Sequence, residues 1–193
     1  VTEKILCQGG KVAIADTAQS GAKFAECMGD RCLIEKDVIE SLKCVKSKFG
    51  GINVLVNSAG VTGYEIIYDF KAKKPHSADL FKRVFDVNVW GLFNVTRLAI
   101  GLMAENKPDV NKQRGVIVNV SSTMAREPPP GLVKWIAMNL TPKRFGTCDE
   151  VAHLIQTVIE NPLINGEVLR INMAWRYCQT CDNPEEPQIP VKC

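Results

Sequence analysis

Short apolar runs and segments of helical periodicity alternate along the chain. The runs 11–16, 52–56, 116–120 and 167–171 consist mainly of aliphatic residues. Runs of this length are typical of buried strands in a parallel sheet, which are apolar on both faces. The pattern therefore predicts a strand at each of these positions.

Helical patterns lie between the predicted strands. A short one over 1–8 is followed by glycines at 9–10, and a longer one over Val38–Phe49 is followed by glycines at 50–51. Glycine after the last periodic residue is a common helix stop because it adopts the left-handed conformation without strain. The apolar face of the longer pattern is made of Val38, Leu42, Val45 and Phe49.

Polar residues predict where two later helices begin. Ser77 can cap a long helix that runs to about Glu105, because its hydroxyl can accept a hydrogen bond from an exposed backbone amide. Thr147 and Glu150 have the spacing of a capping box. The helix that follows has one apolar face, formed by Val151, Leu154, Ile155, Val158 and Ile159.

Alternating strands and helices of these lengths predict the α/β class, with a Rossmann-like, doubly wound parallel sheet covered by helices on both faces. The chain of 193 residues is long enough for one such domain, predicted over 1–176. The remaining segment, 177–193, is rich in proline and acidic residues and is predicted to be a disordered tail.

Charge and cysteine content exclude several function classes. The 24 basic residues nearly balance 21 acidic ones and are scattered, so a nucleic-acid surface is not expected. No apolar run approaches the roughly 20 residues of a membrane span, so the sequence predicts a soluble intracellular protein without a membrane partner. The eight cysteines lack framework spacing and are expected to be reduced thiols. Cys178 and Cys181 have zinc-knuckle spacing without a second pair, so no metal site is predicted, and a zinc or redox module is the less favoured alternative.

Three short motifs follow predicted strands or lie in the long helix. Asn57, Ala59 and Gly60 form an Asn-x-Ala-Gly sequence after a strand, where the carboxyl edge of an α/β sheet opens. Taken alone, this motif is equally well explained as a tight turn. An Asp-Val-Asn motif ends at Asn88, and a later strand runs into Asn-Val-Ser-Ser, which ends at Ser122.

In this order, the three motifs resemble the short-chain dehydrogenase/reductase family. Within that family, the chain is similar to the type 2 3-hydroxyacyl-CoA dehydrogenases, a type also called 17β-hydroxysteroid dehydrogenase type 10. This narrower likeness rests on the segment 159–170 and on Tyr68, Lys71, His76, Phe81, Arg83 and Val84. The resemblance implies a mitochondrial, NAD-dependent oxidoreductase that acts on the hydroxyl of a small molecule, an acyl-CoA or a steroid. It also implies a homo-oligomer.

The resemblance also implies roles for individual residues. Asp16 would accept hydrogen bonds from the adenosine ribose. Without the family match, we would interpret it as a solvated carboxylate at the end of a strand. Ser122 would hold the substrate oxygen, and Asn88 would support a helix kink and a proton-relay water. The residues expected to line the cofactor are Asn57, Ala59, Gly60 and Val87.

The chain departs from the family at the general acid and base. These enzymes use a Tyr followed four residues later by Lys, whose ammonium lowers the phenol pKa. Here the residues four positions after Tyr64, Tyr68 and Tyr177 are Tyr68, Ala72 and Cys181. The usual spacing from the serine would place the pair at Trp135 and Asn139. We interpret the helix that carries this pair, and the strand after it, as missing between Ala125 and Pro128, with a family-like Pro-Gly turn at 130–132.

Two further segments appear deleted on the cofactor side. The first strand and its Gly-rich phosphate loop are expected before Val1, and no Gly-x-x-x-Gly-x-Gly sequence occurs in the chain. A third strand is interpreted as deleted between Cys32 and Leu33. Two hypotheses remain open: a dehydrogenase of 3-hydroxyacyl-CoA or hydroxysteroids, and a non-catalytic splice form or decayed paralogue that acts through protein association.

The missing first strand leads to a prediction about the sheet. In the family, that strand lies between the strands predicted here at 11–16 and 52–57. Because both neighbours are apolar and neither tolerates an exposed edge, we predict that they pair directly in parallel. Strand 116–120 should follow in the sheet, with 167–171 beyond it.

Overall fold

A computed structural model of the protein describes residues 1–16, 32–35, 38–63, 65–122, 144 and 146–171. Its strands are β1 (Val12–Ala15), β2 (Cys32–Glu35), β3 (Val54–Asn57), β4 (Tyr68–Asp69), β5 (Lys74–Pro75) and β6 (Val116–Asn119). Its helices are α1 (Thr2–Cys7), α2 (Val38–Phe49), α3 (Ala78–Phe85), α4 (Leu92–Ala104) and α5 (Cys148–Glu160), with a π-helical turn (Asp86–Gly91) between α3 and α4. Three of the four predicted strands are therefore present, each within a few residues of its predicted bounds.

The first parallel ladder joins β1 to β2, with Val12 opposite Cys32 and Ala15 opposite Glu35. Cys32 and Leu33 therefore lie inside a strand that pairs with β1. The interpretation that the third strand is deleted at their junction is wrong. The sequence did not reveal this strand because its apolar run is only Cys-Leu-Ile, which is too short to distinguish from the end of a helix.

The second parallel ladder joins β3 to β6, from Val54 opposite Val116 to Asn57 opposite Asn119. This confirms that strand 116–120 follows the strand at 52–57. The prediction that β1 pairs with β3 is wrong, since the two belong to separate ladders in the described part of the chain. β1 alternates half-buried Val12 and Ile14 with exposed alanines. On the face of β1 that carries the alanines, pairing with β3 would bury only these small side chains. The hydrophobic free energy gained there would be low.

The segment 167–171 does not form the predicted strand. This segment is separated from β6 and α5 by a cavity of about 480 Å³ that all three line. Val168 is 81% exposed, and Leu169 and Ile171 are also exposed. The prediction failed because this segment has no described neighbour close enough to supply ladder hydrogen bonds, which a strand requires in addition to an apolar sequence.

Two groups of helices cover the ladders. α2 contacts both strands of the first ladder and also contacts α4, which packs on β3. α1 packs on β1, α5 packs on β6, and the Gln8 amide joins these helices by donating to Glu160 at 3.0 Å. The buried apolar residues among those described come from these helices: Leu6, Val45, Ala99, Met103, Ala152 and Ile155. Helix packing, rather than a continuous sheet, thus connects the two ladders.

Ser77 and Thr147 begin helices as predicted. The Ser77 hydroxyl accepts a hydrogen bond from the Leu80 amide at 3.2 Å. Thr147 and Glu150 form both bonds of the capping box, with the Glu150 amide donating to the threonine hydroxyl and the Thr147 amide donating to the carboxylate. Gly9 follows α1 at a φ of +84°, the left-handed conformation that a helix stop requires.

The helical stretch Ala78–Ala104 is the one described helix that is long and apolar enough to cross a membrane by length and composition. Core helices of water-soluble proteins meet the same criterion. In the structure its buried residues Ala99 and Met103 lie in α4, and α4 packs against β3. Its position therefore matches a helix that covers a sheet.

Several predictions concern residues outside the described part of the chain. They include the gap between Ala125 and Pro128, the turn at 130–132, the family-spacing positions Trp135 and Asn139, and the tail 177–193 with Cys178 and Cys181. The domain boundary at 176 also lies outside it.

Candidate active site at the carboxyl edge of the second ladder

A hydrogen-bonded amide cluster lies where β3 and β6 end. Asn57 and Asn119 are the last residues of these strands and lie opposite one another in the ladder. The Asn57 side-chain Nδ2 donates to Asn119 Oδ1 at 2.8 Å and to Thr96 Oγ1 of α4 at 3.0 Å. The two donors of the Asn57 amide group are thus used within the protein, and they tie α4 to the ends of both strands.

A second asparagine joins the π-helical turn to the connection after β3. Asn88 Oδ1 accepts from the Val61 amide, and Asn88 Nδ2 donates to the Val61 carbonyl oxygen, both at 2.9 Å. The Asn88 side chain therefore bonds both backbone groups of Val61, as the backbone of a paired strand does. The predicted kink at Asn88 corresponds to this π turn, since π-helical turns inside α-helices arise where the regular hydrogen-bond ladder is locally interrupted.

The other predicted site residues flank these two asparagines. Ala59 and Gly60 are exposed on the connection after β3, and Val87 is half-buried in the π turn. Ser122 is exposed and follows Val120, whose amide donates to the Asn57 carbonyl oxygen at 2.8 Å. The carboxyl edge of the second ladder thus collects these predicted residues as expected for an α/β sheet.

Asp16 is the predicted site residue that lies apart from this edge. It follows β1 and is exposed, at the carboxyl end of the first ladder. Because β1 and β3 are not paired, no strand contact fixes the distance between Asp16 and the asparagine cluster. Asp16 therefore follows a different ladder from the one that Asn57 and Ser122 end or follow.

Thr96 and Asn119 belong to the site, and the sequence interpretation had given neither a role. Thr96 was hidden within an otherwise apolar helix pattern. Asn119 could have been found, because Asn57 and Asn119 are both the last polar residue of a predicted strand. Parallel neighbours in register place such residues side by side at one edge.

Among the described carboxyl groups, the one with a strongly shifted pKa is Glu150, at the start of α5. The Arg144 guanidinium donates to both Glu150 carboxylate oxygens, at 2.6 and 2.9 Å, and the Thr147 amide donates to one of them. These bonds lower the pKa of Glu150 from its ordinary 4.5 to about 2. The group stabilises the helix start. No metal-binding group of three His, Cys, Asp or Glu side chains occurs within the described ranges.

The described residues fit only part of a dinucleotide. Asp16 could accept bonds from ribose hydroxyls, but a pyrophosphate needs a glycine-rich turn leading into a helix amino terminus. The chain contains no Gly-x-x-x-Gly-x-Gly sequence. At Gly60, an added Cβ would lie 3.6 Å from Asn88 Oδ1, an ordinary contact, so this glycine does not mark a closely fitting cradle. The residues present do not form a complete NAD site.

Comparison with known proteins places this arrangement in a family. The family profile described as short chain dehydrogenase matches residues 5–137, which is more than half of the chain. The chain belongs to the short-chain dehydrogenase family. This confirms the resemblance drawn from the three motifs.

Individual relatives show which type of short-chain dehydrogenase the chain is similar to. The human 3-hydroxyacyl-CoA dehydrogenase type-2 is 33% identical over 231 aligned residues, which cover 90% of this chain and 88% of the relative. The Drosophila melanogaster protein of the same name is 32% identical, with 90% and 91% covered. This short-chain dehydrogenase is thus an oxidoreductase-family protein similar to that type.

A solved structure agrees with the fold. The 3-hydroxyacyl-CoA dehydrogenase type-2 of Mycobacterium avium superposes with a TM-score of 0.80 at 22% identity, covering 92% of this chain and 91% of that one. Serine dehydrogenase of Escherichia coli matches with a TM-score of 0.52 and covers 67% of this chain. The Rossmann-like architecture is therefore established even though the described strands form two separate parallel ladders.

Proposed function

We propose that this short-chain dehydrogenase keeps a substrate-side edge for 3-hydroxyacyl-CoA or hydroxysteroid substrates but does not oxidise them with NAD. The observation that carries this proposal is the absence, anywhere in the sequence, of a tyrosine followed four residues later by a lysine. Without a positioned base, a neutral alcohol keeps its proton and cannot release a hydride. General acid and base catalysis contributes about 10² to 10⁴ in rate.

The retained residues would bind and orient a substrate. Ser122 would donate to, or accept from, the substrate oxygen and stabilise charge on it. Asn88 holds the connection after β3 through its two bonds to Val61 and so keeps the edge in shape. Asn57 has both amide donors engaged by Asn119 and Thr96, so its role here is structural support.

The cofactor side supports the same conclusion. NAD is the cofactor that the resemblance implies, and binding should be weak, because Asp16 and the turn after Asn57 are the parts of its site that remain. The alignment with the human relative supports missing segments. It is 231 residues long, but it contains only about 174 residues of this chain, which is 90% of 193. Roughly 57 positions therefore face gaps in this chain, which supports a truncated form of the family fold.

The test is a turnover assay on the full chain. Purified protein should give no NADH from 3-hydroxyacyl-CoA and NAD beyond the rate of its Ser122→Ala variant. A rate like that of an intact family member, lost in the variant, would refute the proposal. Substrate binding is measured separately by calorimetry, because the proposal predicts that Ser122→Ala weakens acyl-CoA binding although neither protein turns over.

The second candidate function is association with other protein chains, as in a non-catalytic splice form or decayed paralogue. An exposed apolar ridge on the long helix favours it, formed by Phe81, Phe85, Val89 and Phe93 at four-residue spacing. Exposed apolar ridges of this size mark interaction surfaces. Sedimentation should show a homo-oligomer that Phe93→Glu dissociates. A monomer at high concentration would oppose this function. The mitochondrial location implied by the resemblance stays a prediction.

A further inference from the structure

The hairpin formed by β4 and β5 presents apolar side chains to solvent. Ile67 is 84% exposed and Phe70 is 85% exposed, and Ile66 and Tyr68 beside them are also exposed. Single exposed apolar residues are common on protein surfaces, but four within five positions form a patch. The candidate site and the proposed function use none of these side chains.

The hairpin holds its tip in a fixed shape. The Asp69 side-chain Oδ1 accepts hydrogen bonds from the backbone amides of Lys71 and Ala72, at 2.8 and 2.9 Å. Lys73 adopts a φ of +53°, and Tyr68 pairs with Pro75 across the two strands. The Tyr68 and Phe70 rings are in edge contact at 5.1 Å. The exposure of Phe70 is therefore built into an ordered turn.

Basic side chains surround the apolar tip. Lys71, Lys73 and Lys74 are exposed, and none of them forms a salt bridge with any residue that the structure describes. The nearest carboxylate in the sequence, Asp69, is occupied by backbone amides of the turn. The tip thus combines an apolar surface with a net positive charge, since three lysines surround the single carboxylate of Asp69.

An aromatic path extends this surface onto α3. The His76 and Phe81 rings are in edge contact at 6.5 Å, and Phe81 stacks on Phe85 at 4.5 Å. Both phenylalanines are about half exposed. Apolar surface therefore continues from the hairpin onto α3, where it meets the ridge assigned above to chain association, so the proposal below rests on the hairpin alone.

We propose that the hairpin docks this protein on the surface of an anionic phospholipid bilayer. The side chains of Ile67 and Phe70 would enter the boundary between headgroups and acyl chains, and the lysines would lie over the lipid phosphates. A nucleic acid would stack on aromatic rings but gains nothing from two neighbouring isoleucines. An acidic polypeptide would pair with the lysines but leave the isoleucines in water. The attachment is peripheral and does not depend on catalysis. It departs from the expectation, drawn from the lack of a long apolar run, that the protein has no membrane partner.

The chain contains a matched control turn. Asp109 Oδ1 accepts from the amides of Asn111 and Gln113, both at 2.8 Å, just as Asp69 does in the hairpin. Val110 follows the aspartate and is 98% exposed, and Lys112 has a φ of +63°. This turn is also held by an aspartate that accepts from two backbone amides, but it lacks the isoleucine pair, and its lysines, Lys107 and Lys112, are farther apart in the chain than those of the hairpin. It should not contact the bilayer.

The experiment is vesicle flotation of the full chain. The protein should float with vesicles of phosphatidylcholine and phosphatidylglycerol, less so at high salt, and not with phosphatidylcholine alone. Lys71→Glu with Lys73→Glu should weaken binding at least 25-fold, since each lysine near an anionic surface contributes about fivefold. Phe70→Ser should weaken it about tenfold. Val110→Ser and Lys112→Glu should leave it unchanged.

A second readout guards against variants that misfold. Phe70→Trp should shift its fluorescence to shorter wavelength on anionic vesicles, whereas Val110→Trp should not. Equal binding to both vesicle types, equal losses in the hairpin and control variants, or a tryptophan response at neither tip would overturn the proposal. Binding to polyglutamate or an oligonucleotide with no flotation would also overturn it, because it would identify a different partner.

Discussion

Replacing Asn88 should destabilise the protein far more than replacing another asparagine of the same long helix. Asn88 forms two bonds with the backbone of Val61 in a partly buried position. At about 1 kcal/mol each, Asn88→Ala should lower the free energy of unfolding by about 2 kcal/mol. Domains of this kind have only about 5 to 15 kcal/mol in total, so the change is large.

Asn94→Ala is the matched control. The Asn94 side chain accepts only from Arg97 on its own helix, in an exposed position. Both substitutions gain the same helix propensity, about half a kcal/mol, so the difference between them isolates the two bonds to Val61. In urea, with a slope of about 2 kcal/mol per molar, Asn88→Ala should lower the midpoint by about 1 M relative to Asn94→Ala. Equal midpoints would refute the claim that Asn88 joins the π turn to the connection after β3.

Three other results are expected. Gly115→Ala should lower the free energy of unfolding in urea by about 1 to 3 kcal/mol, because its Cβ would lie 2.9 Å from a backbone oxygen. In the control Gly101→Ala, the added Cβ meets no atom within 4 Å, so this change should be neutral or stabilising. The pKa of Glu150 is lowered to about 2, so its bond to Arg144 stabilises α5 above pH 4.5 and is lost as the pH falls towards 2. Circular dichroism should show this loss of helix in acid. The Glu150→Gln variant should not show it. Calorimetry should find NAD binding weaker than micromolar and hardly changed by Asp16→Ala, and tight binding would contradict the proposal of an incomplete cofactor site.

Local signals in the sequence predicted the helices well. The periodicity and glycines gave α2 its bounds at Val38 and Phe49, and Ser77 and Thr147 each cap a helix with the expected bonds. A cap depends on residues within one turn of the chain, so the sequence contains all the information needed. The ordered motifs likewise predicted the family and the collection of Asn57 and Ser122 at one sheet edge.

Long-range pairing was harder to predict. The segment 167–171 has the right apolar residues, but no described neighbour reaches it, and β1 pairs with β2 whereas β3 pairs with β6. Partner choice depends on distant segments of the chain, which local sequence patterns do not report. Thr96 was missed for the same reason, because its bond to Asn57 spans 39 positions.

The hairpin at β4 and β5 was also not predicted from the sequence. Asp69 precedes a turn whose left-handed residue is Lys73 rather than glycine or asparagine, so the usual turn signals are absent. The side-chain bonds of Asp69 to two backbone amides supply the missing preference. The local turn signal is therefore Asp69 itself, and the sequence analysis did not use it.

The central claim is that this short-chain dehydrogenase has kept its scaffold and lost hydride transfer. The most direct test uses 3-hydroxyacyl-CoA that carries deuterium on the hydroxyl-bearing carbon, incubated for hours with NAD and an equimolar amount of the full chain. Mass spectrometry then counts the deuterium transferred to the nicotinamide. The account predicts far less than one deuterium per chain, with no difference between the protein and its Ser122→Ala variant. One deuterium or more per chain, abolished by Ser122→Ala, would contradict it.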